Sequence, residues 1–284
     1  MTIHGHEDWV YGVATLEGNR LASCSEDRTV KIWDASDGRC LATLEGHRRA
    51  VRGLAALEGG RLASSSRDQT VRVWDDTLGQ CLVTLAGHEG TVNYLAALKG
   101  GRIASASDDQ TVKVWDPTAG RCLMTLAGHK GLVWCVSDLG GGRLASSSVD
   151  GTVKIWDVAA GRCLSTTSVH EGCVFAVQPL RDGRLASAST EQTVKVWNVA
   201  ADGGPPSCVT TLKGHEGPVL GIAALESGRL ASASRDETVR VWDAVSGRCL
   251  ATLTGHEGWV WGVSALAGGR LASVSKDKTV RIWE

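Results

Sequence analysis

Short apolar stretches separated by turn chemistry run along the whole chain. Between residues 46 and 86 they read VRGLAAL, RLASSS, TVRVWD and CLVTL, broken by EGG, RDQ and DTLGQ. Stretches of this length, rich in Val, Leu and Thr and bounded by Gly and Asp, predict antiparallel strands, and four of them make a small sheet. The set recurs. Tryptophan closes the third stretch at Trp33, Trp74, Trp115, Trp156, Trp197, Trp242 and Trp283, in steps of 41 residues with a single step of 45. Such a period signals a repeat architecture, in which one unit cannot bury its apolar faces alone and must stack on its neighbours. The units span 5–45, 46–86, 87–127, 128–168, 169–213, 214–254 and 255–284, the last completed by residues 1–4.

Most units open with Gly-His, their third strand reads TVKVW or a close variant, and one acid stands in the turn between strands two and three. On these motifs the whole chain resembles the WD-repeat β-propeller family. The resemblance implies an all-β, seven-bladed β-propeller whose four-stranded antiparallel blades ring a channel. Register suggests the closure. The last unit stops at Trp283-Glu284, after its third strand, and Met1-Thr2-Ile3-His4 aligns with the end of a fourth strand such as Ala42-Thr43-Leu44-Glu45. The last blade is therefore expected to close through a short N-terminal strand. No counterpart of Arg39-Cys40-Leu41 precedes Met1, so closure is expected to be weak and the chain to be an excised piece of a longer parent.

Composition narrows the function classes. A formal charge of -1 argues against a nucleic-acid binder that relies on bulk positive charge. No apolar run reaches the roughly eighteen residues of a membrane span, and MTIHGHEDW lacks the pattern of a signal peptide. These features predict a soluble, cytoplasmic, monomeric domain with no nucleic-acid or membrane partner. Of nine cysteines, Cys40, Cys81, Cys122, Cys163, Cys208 and Cys249 occupy one repeat position beside Leu or Val, and are expected to be copies of one small buried hydrophobe. Cys24, Cys135 and Cys173 show no ligand spacing, so neither a metal nor another cofactor is expected.

Each unit also holds a His, a Ser, an acid and a Trp at fixed spacing: His6, Ser23, Asp27 and Trp33, then His47, Ser64, Asp68 and Trp74, and so on. A Ser/His/Asp set invites a hydrolase reading, but seven copies of a nucleophile argue for architecture. The family resemblance implies a hydrogen-bonded chain tying the loop between strands four and one to its blade. The fifth unit departs from the pattern, with Val169 for Gly, Glu191 for Asp and Asn198 after Trp197, and carries an insertion at Ala200–Pro206 that predicts an exposed loop. Two basic columns, Arg20 with its equivalents and Lys31 with its equivalents, are spread evenly round the ring and are expected to be solvated or to pack by their stems.

Because the units are so alike, the columns that vary between them are the informative ones. Two flank the first Val of strand one, where alternation would put both on one face: Trp9/Tyr11, Ala50/Arg52, Thr91/Asn93, Leu132/Trp134, Cys173/Phe175, Pro218/Leu220 and Trp259/Trp261. A third precedes the turn acid: Glu26, Arg67, Asp108, Val149, Thr190, Arg235 and Lys276. The resemblance implies that all three lie at the top mouth of the channel. Outside the seven repeat tryptophans the chain has seven aromatic residues; six are in the first two columns and the seventh, Tyr94, is adjacent. Core packing would not confine aromatics to variable columns, whereas a recognition surface would.

The expected function is a non-enzymatic scaffold that binds a protein or peptide on this face. Trp9, Tyr11, Trp259 and Trp261 would anchor the partner, Trp134 and Phe175 would extend the contact, and Glu26, Arg52, Arg67, Arg235 and Lys276 would set specificity. Glu26 beside the aromatics suits a cationic side chain; the arginines suit an acidic or phosphorylated one. Two alternatives stand beside this reading: small-molecule or glycan recognition at the channel mouth, and an amplified or consensus-engineered propeller with no evolved ligand.

Overall fold

The computed structural model describes residues 1–200 and 204–284. The chain opens with β1 (Thr2–Ile3) and builds its first blade from β2 (Val10–Leu16), β3 (Arg20–Ser25), β4 (Val30–Asp34) and β5 (Cys40–Leu44). The described residues form seven such four-stranded antiparallel sheets. Neighbouring blades meet through their first strands, which line the central channel, and the fourth strands form the rim. The turn between strands two and three is set by side-chain chemistry. Asp27 accepts hydrogen bonds from the Thr29 amide at 2.9 Å and the Thr29 hydroxyl at 2.7 Å, and Arg28 between them takes a left-handed φ of 73°.

The core lies between blades, which is why one unit cannot stand alone. Trp74 of the second blade packs on Val30, Ile32 and Leu44 of the first, Trp156 packs on Val112, Val114 and Leu126, and Trp242 packs on Val194, Val196 and Leu212. The Gly before the His takes a positive φ in six blades, a conformation that favours glycine. At Gly5, with φ 149°, a Cβ would come within 2.8 Å of the Trp33 ring. Val169 stands at that place in the fifth blade with an ordinary backbone conformation and is itself buried against Trp197.

The ring closes as the register predicts. β1 pairs antiparallel with Val280–Trp283 through Thr2↔Arg281 and Ile3↔Val280, and Met1 and Ile282 exchange two backbone hydrogen bonds of 2.8 Å. Ile3, Val280 and Ile282 then join Trp33 of the first blade in one cluster. In the first blade the equivalent outer pairing extends to Trp33↔Cys40, whereas β1 stops short of Trp283. That ring is half-buried, while Trp33, Trp74, Trp115, Trp156 and Trp242 are at most 2% exposed. Hydrogen–deuterium exchange is therefore expected to be faster at Val280–Trp283 than at Thr70–Asp75, because few interactions hold the outer strand of the last blade. Equal protection would show that closure is not weak.

Two expectations change. Cys40, Cys81, Cys122, Cys163, Cys208 and Cys249 are exposed, not buried. They lie on fourth strands, which have a neighbour on one side only, and the apolar packing of that strand falls to residues such as Leu44 and Leu85. Several arginines of the Arg20 column tie adjacent blades instead of simply facing water. Arg20 donates to the carbonyl and carboxylate of Asp76, Arg143 to the Ala200 carbonyl, Arg184 to the Ala244 carbonyl and Arg270 to the Ala35 carbonyl. Of the insertion, Ala201–Gly203 lie outside the described residues.

Candidate functional site

The site starts from an irregularity that strand alternation conceals. In all seven blades the first strand slips register directly after its first Val, between Val10 and Gly12, Val51 and Gly53, Val92 and Tyr94, Val133 and Cys135, Val174 and Ala176, Val219 and Gly221, and Val260 and Gly262. The extra, unpaired residues are Tyr11, Arg52, Asn93, Trp134, Phe175, Leu220 and Trp261, which together are the second variable column. A β-bulge re-aims the side chain it carries, and Tyr11, Arg52, Trp134, Phe175 and Trp261 all line the upper channel. A hydrogen bond then brings the other two columns together. The amide of Glu26 donates to the Trp9 carbonyl at 2.9 Å, and the same bond joins Arg67 to Ala50, Arg235 to Pro218 and Lys276 to Trp259.

Ring closure places the first and last blades side by side and assembles four of the predicted aromatics. Trp9 meets Tyr11 edge-on at 6.5 Å between centroids, Tyr11 meets Trp261 at 5.2 Å, and Trp261 meets Trp259 at 5.8 Å. Tyr11 is buried and the three tryptophans are half-buried. Trp134 and Phe175 form a second pair at 5.3 Å, joined to the first group through Arg52. The Arg52 guanidinium lies 4.3 Å from the Tyr11 ring centre and 5.9 Å from that of Trp134. Arg235 sits 4.2 Å over Trp259, and the Lys276 ammonium is 4.6 Å from Trp9 and 4.7 Å from Trp259. Rings and cations interleave, each cation resting on a π face.

The carboxylates of this face are already engaged. Glu26 accepts from the Tyr11 hydroxyl at 2.6 Å and from Arg67 at 2.9 Å, so it does not offer the vacant seat for a cationic side chain that the sequence suggests. Burial, then the bond to Glu26, push the Tyr11 phenol well above its usual range. Asp108 accepts from the Asn93 amide at 2.7 Å. Burial lowers the pKa of Arg52 against the opposing pull of Tyr11, Glu26 and Asp108, and no carboxylate among the described residues stands within ion-pair distance of it.

Tyr94 is the residue that the variable columns miss. Beside it in the repeat stand Gly12, Gly53, Cys135, Ala176, Gly221 and Gly262. The glycines are required where inner strands crowd: a Cβ at Gly221 would lie 2.8 Å from the Trp261 carbonyl oxygen. Tyr94 is the one large side chain in this row, and its ring stands in the channel, between an upper cavity of about 80 Å³ and a lower opening of about 430 Å³. Its side chain is 40% exposed, facing the open channel, and the crowding of the surrounding inner strands raises its phenol pKa above the ordinary value. The signal that finds it is a bulky residue in a column of small ones.

The recurrent His, Ser, acid and Trp side chains meet in every blade. In the first, Trp33 Nε1 donates to Ser23 Oγ at 2.7 Å, His6 Nε2 lies 2.8 Å from that hydroxyl, and His6 Nδ1 lies 2.7 Å from Asp27. In the second, Trp74, Ser64, His47 and Asp68 repeat this with distances of 2.8, 2.7 and 2.9 Å. Asp27 also accepts from the Glu7 amide, tying the loop to the blade. Burial pushes the Asp27 carboxyl upward, but the hydrogen bonds from His6 and Thr29 outweigh it and hold the group well below the usual carboxylate range. Each serine is fully buried, so none presents a nucleophile to a substrate. Among the described residues no cluster suits a metal ion.

The fifth blade shows what the longer acid costs. Glu191 reaches His170 at 2.7 Å and the Glu171 amide, but does not receive the Thr193 hydroxyl, which is left buried without a partner. In the other six blades the matching Thr donates to Asp, as Thr70 does to Asp68 at 2.6 Å. Glu191→Asp is expected to restore that bond and stabilise the fold by about 1 kcal/mol, or a few degrees in Tm. An unchanged or lower Tm in a thermal melt would contradict this.

Comparison with known proteins agrees with this architecture. One family model, "WD domain, G-beta repeat", matches residues 1–34, 38–75, 79–116, 120–157, 161–198, 206–243 and 247–284. The nuclear distribution protein PAC1 of Candida glabrata is 46% identical over 43 residues, 15% of this chain and 9% of that protein. F-box/WD repeat-containing protein 7 of Drosophila melanogaster is 45% identical over 42 residues, 15% of this chain and 3% of that protein. Each match spans about one repeat and less than a tenth of the relative. With seven family matches around a closed seven-bladed ring, the chain belongs to the WD-repeat family, whose propellers are commonly protein-interaction scaffolds and generally not enzymes.

Proposed function

We propose that this propeller is a non-enzymatic scaffold that binds a peptide or protein segment across the top of its channel. The observation that carries this is the join between the first and last blades. There Trp9, Tyr11, Trp261 and Trp259 form a continuous set of edge contacts, interleaved with Lys276 and Arg235 and supported from beneath by ordinary repeat structure. Half-buried tryptophans beside arginine are the composition of interface hot spots. Trp134, Phe175 and Arg52 continue the surface across the mouth, while Arg67 and Glu26 fix the Tyr11 hydroxyl. A reducing, cytoplasmic setting fits nine free cysteines, six of them exposed. No helix is long and apolar enough to cross a membrane among the described residues.

The test is selection of binders from a displayed random-peptide library against the folded propeller, followed by a counter-screen. Enriched peptides are expected to bind the wild type and to fail on a Trp259→Ala/Trp261→Ala variant. Peptides that bind both proteins equally would remove the aromatic set from the binding surface.

A further inference from the structure

The upper channel holds hydrogen-bond donors without partners among the described residues, Arg52 Nε and the indole N–H groups of Trp134 and Trp261. Tyr11, Trp134, Phe175 and Trp261 wall its cavity of about 80 Å³, Arg52 reaches in between them, and Tyr94 crosses beneath. The Arg52 guanidinium rests on two ring faces and donates no hydrogen bond to a described residue, while Glu26 and Asp108 act on it only through space. The Tyr94 hydroxyl likewise has no partner among the described residues. Of the acids at the mouth, Glu26 is paired with Tyr11 and Arg67, and Asp108 accepts one bond from the Asn93 amide. Across the three variable columns there are four cations, Arg52, Arg67, Arg235 and Lys276, to two carboxylates, Glu26 and Asp108. A partly desolvated guanidinium that feels Glu26 and Asp108 only at a distance, with no carboxylate in contact, gains from an anion that meets it directly.

We propose that this cavity receives an aspartate or glutamate side chain of the bound partner. The carboxylate would pair with the planar donors of Arg52 in the bidentate manner open to a guanidinium, with the Tyr94 hydroxyl as a further donor. This rests on the top-face peptide reading and adds the chemical group that the channel selects. A single charge fits better than a phosphate. Phosphate brings close to two negative charges, and the next cation, Arg67, is already paired with Glu26 at 2.9 Å. A neutral group would bring Arg52 no contacting counter-charge.

The test uses the intact protein and an isolated carboxylate, so it needs no partner. The indole N–H signals of Trp134 and Trp261 are followed by NMR during titration with 3-phenylpropionate, its primary amide and phenyl phosphate, at constant ionic strength. The carboxylate is expected to shift both signals saturably, with the amide and the phosphate at least about tenfold weaker. Arg52→Gln should weaken the carboxylate response about 30-fold and Tyr94→Phe a few-fold, while the repeat indole signals in the same spectra report folding. Should Arg52→Gln not fold, Arg52→Lys, which keeps the charge and loses the planar fork, should still weaken the response. Equal response to acid and amide, tighter binding of the phosphate, or indifference of a folded Arg52 variant overturns the proposal. Failure here would leave the Trp259/Trp261 counter-screen to judge the peptide reading, and failure of that screen would leave this titration standing.

Discussion

Ser64→Ala is expected to lower the melting temperature by about 10 °C, although it removes one oxygen atom and leaves almost no cavity. Ser64 is fully buried and its hydroxyl joins two groups, accepting from Trp74 Nε1 at 2.8 Å and meeting His47 Nε2 at 2.7 Å. Because Asp68 faces His47 Nδ1, the imidazole is assigned a proton there, and its Nε2 then accepts from the serine. The chain runs Trp N–H to Ser O–H to His to Asp in one direction. Alanine leaves a buried indole N–H and a buried ring nitrogen unpartnered, each costing about 1–3 kcal/mol. A shift below about 2 °C would mean that water or relaxation replaces the hydroxyl and that the network is not structural. The hydrolase alternative makes a different forecast, loss of an activity with stability retained.

Trp259→Ala/Trp261→Ala is expected to weaken a selected peptide by more than about 2 kcal/mol, roughly 30-fold or more in Kd, with little change in folded signal. The two rings touch each other at 5.8 Å and Trp261 touches Tyr11 at 5.2 Å, so the double variant removes half of the contiguous set. Both are half-buried, unlike the tryptophans that seal the blades, and Trp259 lies outside the inter-blade clusters whereas Trp261 only borders one. If instead Tm fell by 10 °C while Kd held, the rings would be packing that plugs the channel mouth. Isothermal calorimetry paired with a thermal melt separates the two.

Much of the fold is legible because the chain repeats one instruction seven times. The Trp spacing, the Gly-His opening and the Thr-Val alternation name a four-stranded unit, and the alignment of Met1–His4 with Ala42–Glu45 names the closing strand. What escapes is what depends on neighbours. The six exposed cysteines follow a hydrophobic pattern, yet a fourth strand has no outer neighbour to cover them. Arg20 looks solvated until the next blade brings Asp76 to it. The first strand's alternation hides the bulge, because Val10 and Tyr11 read as ordinary consecutive strand residues, while the shift appears only in how Val10 and Gly12 pair with Ser25 and Cys24. At the site, the variable columns locate the aromatics, but sequence cannot show that Glu26 is spent on Tyr11 and Arg67. That pairing leaves Arg52 without a carboxylate in contact among the described residues.

The central claim is that the partner sits on the variable columns at the top of the channel. The most direct measurement is photo-crosslinking of a selected peptide from benzoylphenylalanine placed at Leu132 or at Leu78. Leu132 is exposed in the first variable column beside Trp134, and Leu78 is exposed in the turn between strands three and four, away from the mouth. The account predicts crosslinks from position 132 and none above background from position 78. The reverse pattern, or equal yields from both, would contradict it.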